Sequence, residues 1–330
     1  MHILVVGAGS LGQVFAAFLK ESGVDVTLYG TPHTIQALRE YGIRLGGLRE
    51  QEWSAEQFKL IDDPQAIQNA DLLLFATKGH QLETAATSLR HVSCQAVYGV
   101  QNGIRKGDIL GTVFGAERLL AGATIVGAER EKGGRVLLTG KGRTYVGPLA
   151  ASARQARNVG QAFVEALSVA GLPAVWLAEP AEALSVEWSK ACNAIGSFGV
   201  STLTRLPWTR IMQEENLVLT FLQLVRETAA VAQAEGIAVD DFEGFPIRTY
   251  VEKEDASIVQ MLGELGKRAE ANGGPPMRVS MLQDLEAGRP LEAEHVYGGV
   301  LDHARAAGIT VPAITLAAHL IMGLSESLTS

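Results

Sequence analysis

The sequence predicts an α/β domain followed by an all-α domain, and three observations carry that expectation. A short aliphatic run, Ile3-Leu4-Val5-Val6, passes directly into a glycine-rich turn and a helical pattern. Apolar runs of strand length then recur as far as Leu177. From Glu182 onward, long stretches with helical periodicity take over. The two domains are expected over residues 1–178 and 179–330.

The opening elements each have a physical reason. Residues 3–6 suit a strand buried on both faces of a parallel sheet. Gly7-Ala8-Gly9-Ser10-Leu11-Gly12 spells G-x-G-x-x-G. Gly7 makes the tight turn, Gly9 admits a pyrophosphate, and Gly12 lets the helix pack closely on the strand. The helix that follows puts Phe15, Phe18 and Leu19 on its apolar side, and its first N–H groups, around Ser10 and Leu11, face a phosphate. A second strand at 24–29 completes βαβ spacing. That setting marks a Rossmann-type dinucleotide-binding domain.

Beyond Tyr29, an acidic residue would select the ribose hydroxyl of NAD and an arginine the 2′-phosphate of NADP. Thr31 is neither. With no carboxylate to repel it, NADP is permitted, and Thr31, His33, Thr34 or Arg39 are its candidate contacts. Residues 56–67 read as polar and irregular. Residues 71–76 and 96–100 are further buried-strand runs, and Lys78 and Asn102 follow their carboxyl ends, where open α/β sheets bind ligands. Each also has an ordinary reading, Lys78 as a solvated lysine and Asn102-Gly103 as a turn. Residues 120–126, 135–139 and 144–146 read as strands about the turn Lys132-Gly133-Gly134. In the second half, helices are expected over 183–193, 215–235, 249–271, 278–286, 294–307 and 314–324. Leu217, Phe221, Leu224, Val225, Thr228 and Val231 form a core-facing stripe in the second of them.

Composition narrows the class. A chain of 330 residues is expected to divide into two cores. A net charge of −8 supplies no basic face for nucleic acid. The two cysteines, Cys94 and Cys192, lie in apolar surroundings and read as buried reduced thiols. The N-terminus lacks the basic flank of a signal peptide, and no run of 18 apolar residues spans a membrane. A cytoplasmic protein without membrane, nucleic-acid or metal partners is expected. Apolar positions in the C-terminal helices could build a homodimer.

Carbonyl reduction by a reduced nicotinamide needs a proton donor at the developing alkoxide. Lys190, in Trp188-Ser189-Lys190-Ala191-Cys192-Asn193, is one candidate. Its helix is otherwise apolar and rich in small residues, so a buried lysine with a depressed pKa is one reading. A lysine snorkelling to water is the other. In the run from Arg278 to Glu292, Ser280 starts a helix and Gly288 ends it. There Ser280 reads as an N-cap and Glu292 as a loop carboxylate.

Taken together, these stretches resemble the ketopantoate reductase (2-dehydropantoate 2-reductase) family across nearly the whole chain. The resemblance is carried by residues 7–12, Thr77-Lys78, Gln101-Asn102-Gly103, Glu187-Trp188-Ser189-Lys190 and, most specifically, Ser280-Met281-Leu282-Gln283-Asp284-Leu285-Glu286-Ala287-Gly288-Arg289-Pro290. It implies NADPH-dependent reduction of a 2-oxo acid, ketopantoate first, in the cleft between the two domains, as in pantothenate biosynthesis. By the resemblance, Lys190 is the general acid and Glu292 holds the substrate near its hydroxyl groups. Ser280 lies near the substrate carboxylate, Asn102 at the cofactor–substrate junction, and Lys78 faces the cofactor. The cofactor set is then Gly7, Gly9, Ser10, Leu11, Gly12, Thr31, Lys78 and Asn102.

Three departures stand out. The family's lysine is followed four and eight residues later by asparagines that bind substrate. Here Asn193 comes one residue early, Ala194 and Phe198 hold those positions, and a compensating deletion would bring Ser197 to the second. In a helix, one residue is a rotation of about 100°. Thr31 stands where many members carry an arginine, which leaves NADH open beside NADPH. Pro290-Leu291-Glu292-Ala293-Glu294 replaces the more usual Thr-Glu-Ile-Asp. The alternatives are a dehydrogenase for other branched or aromatic D-2-hydroxy acids, or a dinucleotide sensor without turnover.

Overall fold

The computed structural model describes residues 1–273 and 276–328. It separates into two units, Met1–Gln101 with Lys106–Leu184, and Asn102–Arg105 with the chain from Ser185 onward. The division therefore falls inside a continuous helix, Pro180–Thr204, and differs from the expected boundary at 178/179. Residues 102–105 also group with the second unit.

The first unit begins β1 (His2–Val6), α1 (Ser10–Glu21), β2 (Asp25–Tyr29), α2 (Pro32–Tyr41), β3 (Ile43–Gly47), β4 (Gln51–Trp53) and β5 (Lys59–Ile61). It continues β6 (Asn69–Phe75), α3 (Gly79–Ser88), β7 (Ser93–Gly99), α4 (Arg105–Phe114), β8 (Leu119–Arg130), β9 (Val136–Pro148), α5 (Arg154–Val169) and β10 (Ala174–Trp176). The strands form one sheet in the order β4-β3-β9-β8-β7-β6-β1-β2-β5, with β10 beside β9. Its parallel part, β5-β2-β1-β6-β7, has the Rossmann order, which reverses between β1 and β6.

Alternation along the central strands explains why they read as unbroken apolar runs. Ile3, Val5, Leu72, Leu74 and Tyr98 pack on one face with Phe15, Phe18 and Phe163. Leu4, Val6, Leu73 and Phe75 pack on the other with Phe114. Both faces are covered, so neither can be polar.

Several segments differ from expectation. Residues 136–139 and 144–146 belong to one long strand, β9, which pairs antiparallel with the similarly long β8. Glycines 140 and 142 lie within it, facing residues 125–127 across the ladder, where a side chain at Gly142 would meet Ile125 at 2.6 Å. They are sites of close strand approach rather than breaks. The stretch expected to be irregular contains β5, whose Lys59, Leu60 and Ile61 pair with β2.

The second unit holds the rest of α6 (Pro180–Thr204), then α7 (Trp208–Ile211), α8 (Glu215–Ala234), a hairpin of β11 (Asp241–Phe242) and β12 (Phe245–Pro246), α9 (Ile247–Glu252) and α10 (Asp255–Ala271). It ends with α11 (Ser280–Glu286), α12 (Gly299–Ala306) and α13 (Pro312–Ser327). The hairpin is an exception to the all-α expectation, closed by Glu243-Gly244 with Gly244 at φ 84°. The helix expected over 249–271 is two helices. Arg226 donates to the carbonyls of Tyr250 and Lys253 at the break and pairs with Asp255 at 2.6 Å, so a tertiary contact satisfies the interrupted backbone. The helix expected from 294 opens with a π-helical turn, Glu294–Gly298. Both cysteines are buried free thiols, and burial pushes Cys94 up to about 11. Among the described residues, no helix is long and apolar enough to cross a membrane.

Candidate active site

The glycine turn is built as its spacing demands. Gly7 sits at φ 105°, and its N–H donates to the Tyr29 carbonyl at 2.8 Å, joining the ends of β1 and β2. A Cβ at Gly12 would lie 2.0 Å from the Gly7 carbonyl oxygen, so α1 can rest on the turn only with glycine there. A Cβ at Gly9 would meet nothing within 4 Å, and Gly9 is also the α1 N-cap, with no side chain capping it. The leading N–H groups of α1, at Ser10 and Leu11, thus open onto space beside a bare backbone. That is the donor set and the clearance a pyrophosphate requires.

Thr31 is exposed and caps α2, its hydroxyl accepting from the Thr34 N–H at 3.4 Å and lying 3.0 Å from the Thr34 hydroxyl. Arg39 is taken: it pairs with Asp62 at 3.1 Å and donates to the Leu60 carbonyl. The Arg39 guanidinium in turn holds the Asp62 carboxyl below its usual range. Lys78 is the N-cap residue of α3, half-buried just past the end of β6. Beside it, Gln101 donates to the carbonyls of Phe75 and Thr77 at 3.1 and 3.0 Å, which fixes the ends of β6 and β7.

In the second unit, α6 presents an unusual surface. From Val186 to Thr202 every residue is buried except Lys190 and Asn193, which are half-buried. Three residues apart, they share one helix face. The Lys190 ammonium lies 6.0 Å from the centre of the Phe245 ring on β12, and the Asp240 N–H donates to the Ser189 hydroxyl at 2.9 Å, tying the hairpin to this helix. Ser197 is buried, and its hydroxyl donates to the Asn193 carbonyl at 2.7 Å, so its hydrogen is committed within the helix.

Glu292 is half-buried between the buried Leu291 and Ala293, immediately before the π-helical turn. Its carbonyl accepts from Val296, and the Leu291 N–H donates to the Ser325 hydroxyl. Two contacts place this segment. Tyr297 donates to the Ile195 carbonyl on α6. Arg105, three residues after Asn102, pairs with Glu294 at 2.8 Å and Asp302 at 2.5 Å. Gly103, at φ 82°, would carry a Cβ only 3.1 Å from the Val296 Cα. The loop bearing Asn102 thus packs against the segment that follows Glu292.

Ser280 is the first residue of α11, half-buried, and Val279 occupies the cap position expected for it. The run from Ser280 to Pro290 is a helix closed by Gly288 at φ 64° and by Arg289 bonding Asp284 at 2.8 Å. Its spacing therefore encodes a short helix with a bonded C-terminal turn.

The bonding roles of three residues are not legible in the sequence. Gln101, Tyr297 and Arg130 act on main-chain carbonyls, and Arg130 reaches the glycine turn itself at the Ala8 carbonyl. Nothing in side-chain spacing announces such partners.

Known proteins match this arrangement along the whole chain. Residues 3–151 match the family described as ketopantoate reductase PanE/ApbA, and residues 182–325 match its C-terminal model. The 2-dehydropantoate 2-reductase of Archaeoglobus fulgidus is 28% identical over 330 residues, covering 99% of both chains. That of Halobacterium salinarum is 27% identical, covering 97% of this chain and 98% of its own. Among solved structures, the ternary structure of D-mandelate dehydrogenase with NADH and anilino(oxo)acetate aligns at a TM-score of 0.82, 21% identity and full coverage of both chains.

Proposed function

The chain belongs to the ketopantoate reductase family, and from that premise we propose that it reduces a 2-oxo acid to the 2-hydroxy acid with NADPH, with 2-dehydropantoate as the leading substrate. Members of this family are oxidoreductases acting on a CH–OH group. The observation that carries the reading is the face of α6 on which only Lys190 and Asn193 escape burial. A long helix that is otherwise buried from Val186 to Thr202 keeps one ammonium and one amide at a surface, which is how a proton donor and a substrate-orienting group are held rigid.

The Gly7–Gly12 turn would hold NADPH, which would supply the hydride. Lys190 donates a proton from its ammonium to the carbonyl oxygen as that oxygen becomes an alkoxide. Ser280 and Asn193 hold the carboxylate, Glu292 accepts from the distal hydroxyl, and Asn102 and Lys78 orient the groups at the cofactor end. Ser197 has a supporting part only, because its hydrogen is engaged with Asn193.

A second reading has its own support. The neutral Thr31 and the displaced Asn193 suit an NADH-linked enzyme for bulkier D-2-hydroxy acids, and D-mandelate dehydrogenase is a full-length structural relative. The two readings separate on oxidation of NADPH and NADH with ketopantoate, benzoylformate and branched 2-oxo acids. Preferred turnover of ketopantoate supports the first; preferred turnover of benzoylformate replaces it with the second.

The proposal includes a homodimer through the helical unit. A groove of about 650 Å³ between α6, α8 and α13 has no charged residue in its lining, and Leu316 and Leu320 on its rim are exposed. A hole and apolar knobs on one uncharged face are what an isologous contact needs. Light scattering tests it: Leu320→Glu should convert a dimer to monomer, and a monomeric parent protein rejects it.

A further inference from the structure

We infer that Arg130 pairs with a phosphate of the adenine dinucleotide held at the Gly7–Gly12 turn; the inference rests on the dinucleotide reading above and adds a residue to it. Arg130 is the last residue of β8, and its Nη2 donates to the Ala8 carbonyl at 3.3 Å. Ala8 lies in the middle of the turn, between Gly7 and the open position at Gly9. It also touches the end of β2, since a Cβ built at Gly30 would sit 3.1 Å from the Ala8 Cβ. The guanidinium is therefore anchored where the pyrophosphate loop meets the strand end that leads to Thr31.

Several arginines of the same unit are neutralised by carboxylates. Arg39 has Asp62, Arg49 has Glu21 and Arg135 has Glu50. Among the described residues, Arg130 has the Ala8 carbonyl and no carboxylate. The residue is exposed at the strand end, while crowding of its guanidinium by protein atoms moves its pKa downward. A charge that gives up part of its hydration without a counter-charge raises the free energy of the unliganded protein, and an arriving anion removes that cost. One N–H of the fork is used on Ala8, and the remaining donors suit a bidentate phosphate.

Two sources of that phosphate exist on one cofactor. The 2′-phosphate of NADPH would fall beyond the end of β2, where Thr31 offers no charge, and the pyrophosphate would fall at the α1 N-terminus. Both present the same chemistry, anionic phosphate oxygens, to one guanidinium.

Calorimetric binding of NADPH, NADH, adenosine 2′,5′-bisphosphate and 5′-AMP to the parent protein, Arg130→Met and Arg130→Lys tests the inference, with the melting temperature as a check on folding. Loss of a charge-assisted contact should weaken NADPH about 10- to 100-fold in Arg130→Met, with partial recovery in Arg130→Lys. Loss confined to NADPH and the bisphosphate assigns the 2′-phosphate. Equal loss for NADPH and NADH assigns the pyrophosphate. Unchanged affinity for both dinucleotides in a folded Arg130→Met protein overturns the inference while leaving the dinucleotide reading intact. A parent protein that binds neither dinucleotide overturns both.

Discussion

Tyr297 donates its phenolic hydrogen to the Ile195 carbonyl at 2.9 Å, and neither residue has any exposed surface. The bond joins the π-helical turn after Glu292 to the helix that carries Lys190. Burial pushes the phenol's pKa upward, which favours the protonated, donating form. Gly199 makes room for it, since a Cβ there would fall 3.1 Å from the hydroxyl.

Tyr297→Phe keeps the ring and removes only this bond. The protein should lose about 1 kcal/mol of stability, the net worth of one hydrogen bond. Because the Glu292 segment is then less firmly held, KM for the 2-oxo acid should rise by about tenfold, while the dissociation constant for NADPH stays fixed. A parallel loss of dinucleotide affinity would show that the bond serves general stability instead.

Gly12→Ala puts a methyl group 2.0 Å from the Gly7 carbonyl oxygen, a backbone atom that cannot step aside. Overpacking of this kind costs about 1–3 kcal/mol, and the turn must open to relieve it. Calorimetry should find NADPH binding weakened by at least ~10-fold. Gly9→Ala enters empty space in the unliganded protein, so its melting temperature should be unchanged and its cofactor affinity lowered. A Gly9→Ala protein that binds NADPH normally would remove the phosphate from that side of the turn.

The Asn102 loop is fastened by charges. Arg105 and Arg305 hold the Asp302 carboxyl below its ordinary pKa, Arg105 foremost. A carboxylate with a depressed folded pKa contributes stability that is present above its unfolded value, near 4, and is lost as pH falls through the folded value. The pair is half-exposed, which limits its worth to less than ~1 kcal/mol. Melting temperatures of the parent protein should therefore exceed those of Asp302→Asn at pH 6–7, and the gap should narrow as pH falls below the ordinary carboxylate value, near 4. A gap that is constant down to pH 3 would mean that the carboxylate charge contributes nothing there.

What could be read in advance follows from where each signal lies. The Gly7–Gly12 turn was legible because backbone clearance is written directly as glycine, and β1, β6 and β7 because burial on both faces leaves unbroken apolar runs. Lys190 stood out as a charge in a small-residue helix, yet the extent of that helix did not, since its continuation past Asn193 is as apolar as its neighbours in the core. The break between α9 and α10 has no local signal because Arg226, 24 residues before Tyr250 in the chain, supplies the bonds that satisfy it. Ser280 looked like a cap from its residue type, whereas the local geometry gives that place to Val279. The roles of Arg130, Gln101 and Tyr297 are hidden in the sequence for one shared reason: each meets a carbonyl, and carbonyl directions exist only after folding.

The most direct test of the account is the reduction of ketopantoate by Lys190→Ala, measured beside the parent protein with NADPH affinity recorded on both. Removal of a positioned general acid should lower kcat by roughly 10²–10⁴, with the dissociation constant for NADPH unchanged. A variant that turns over at the parent rate would contradict the account, since no proton would then come from Lys190.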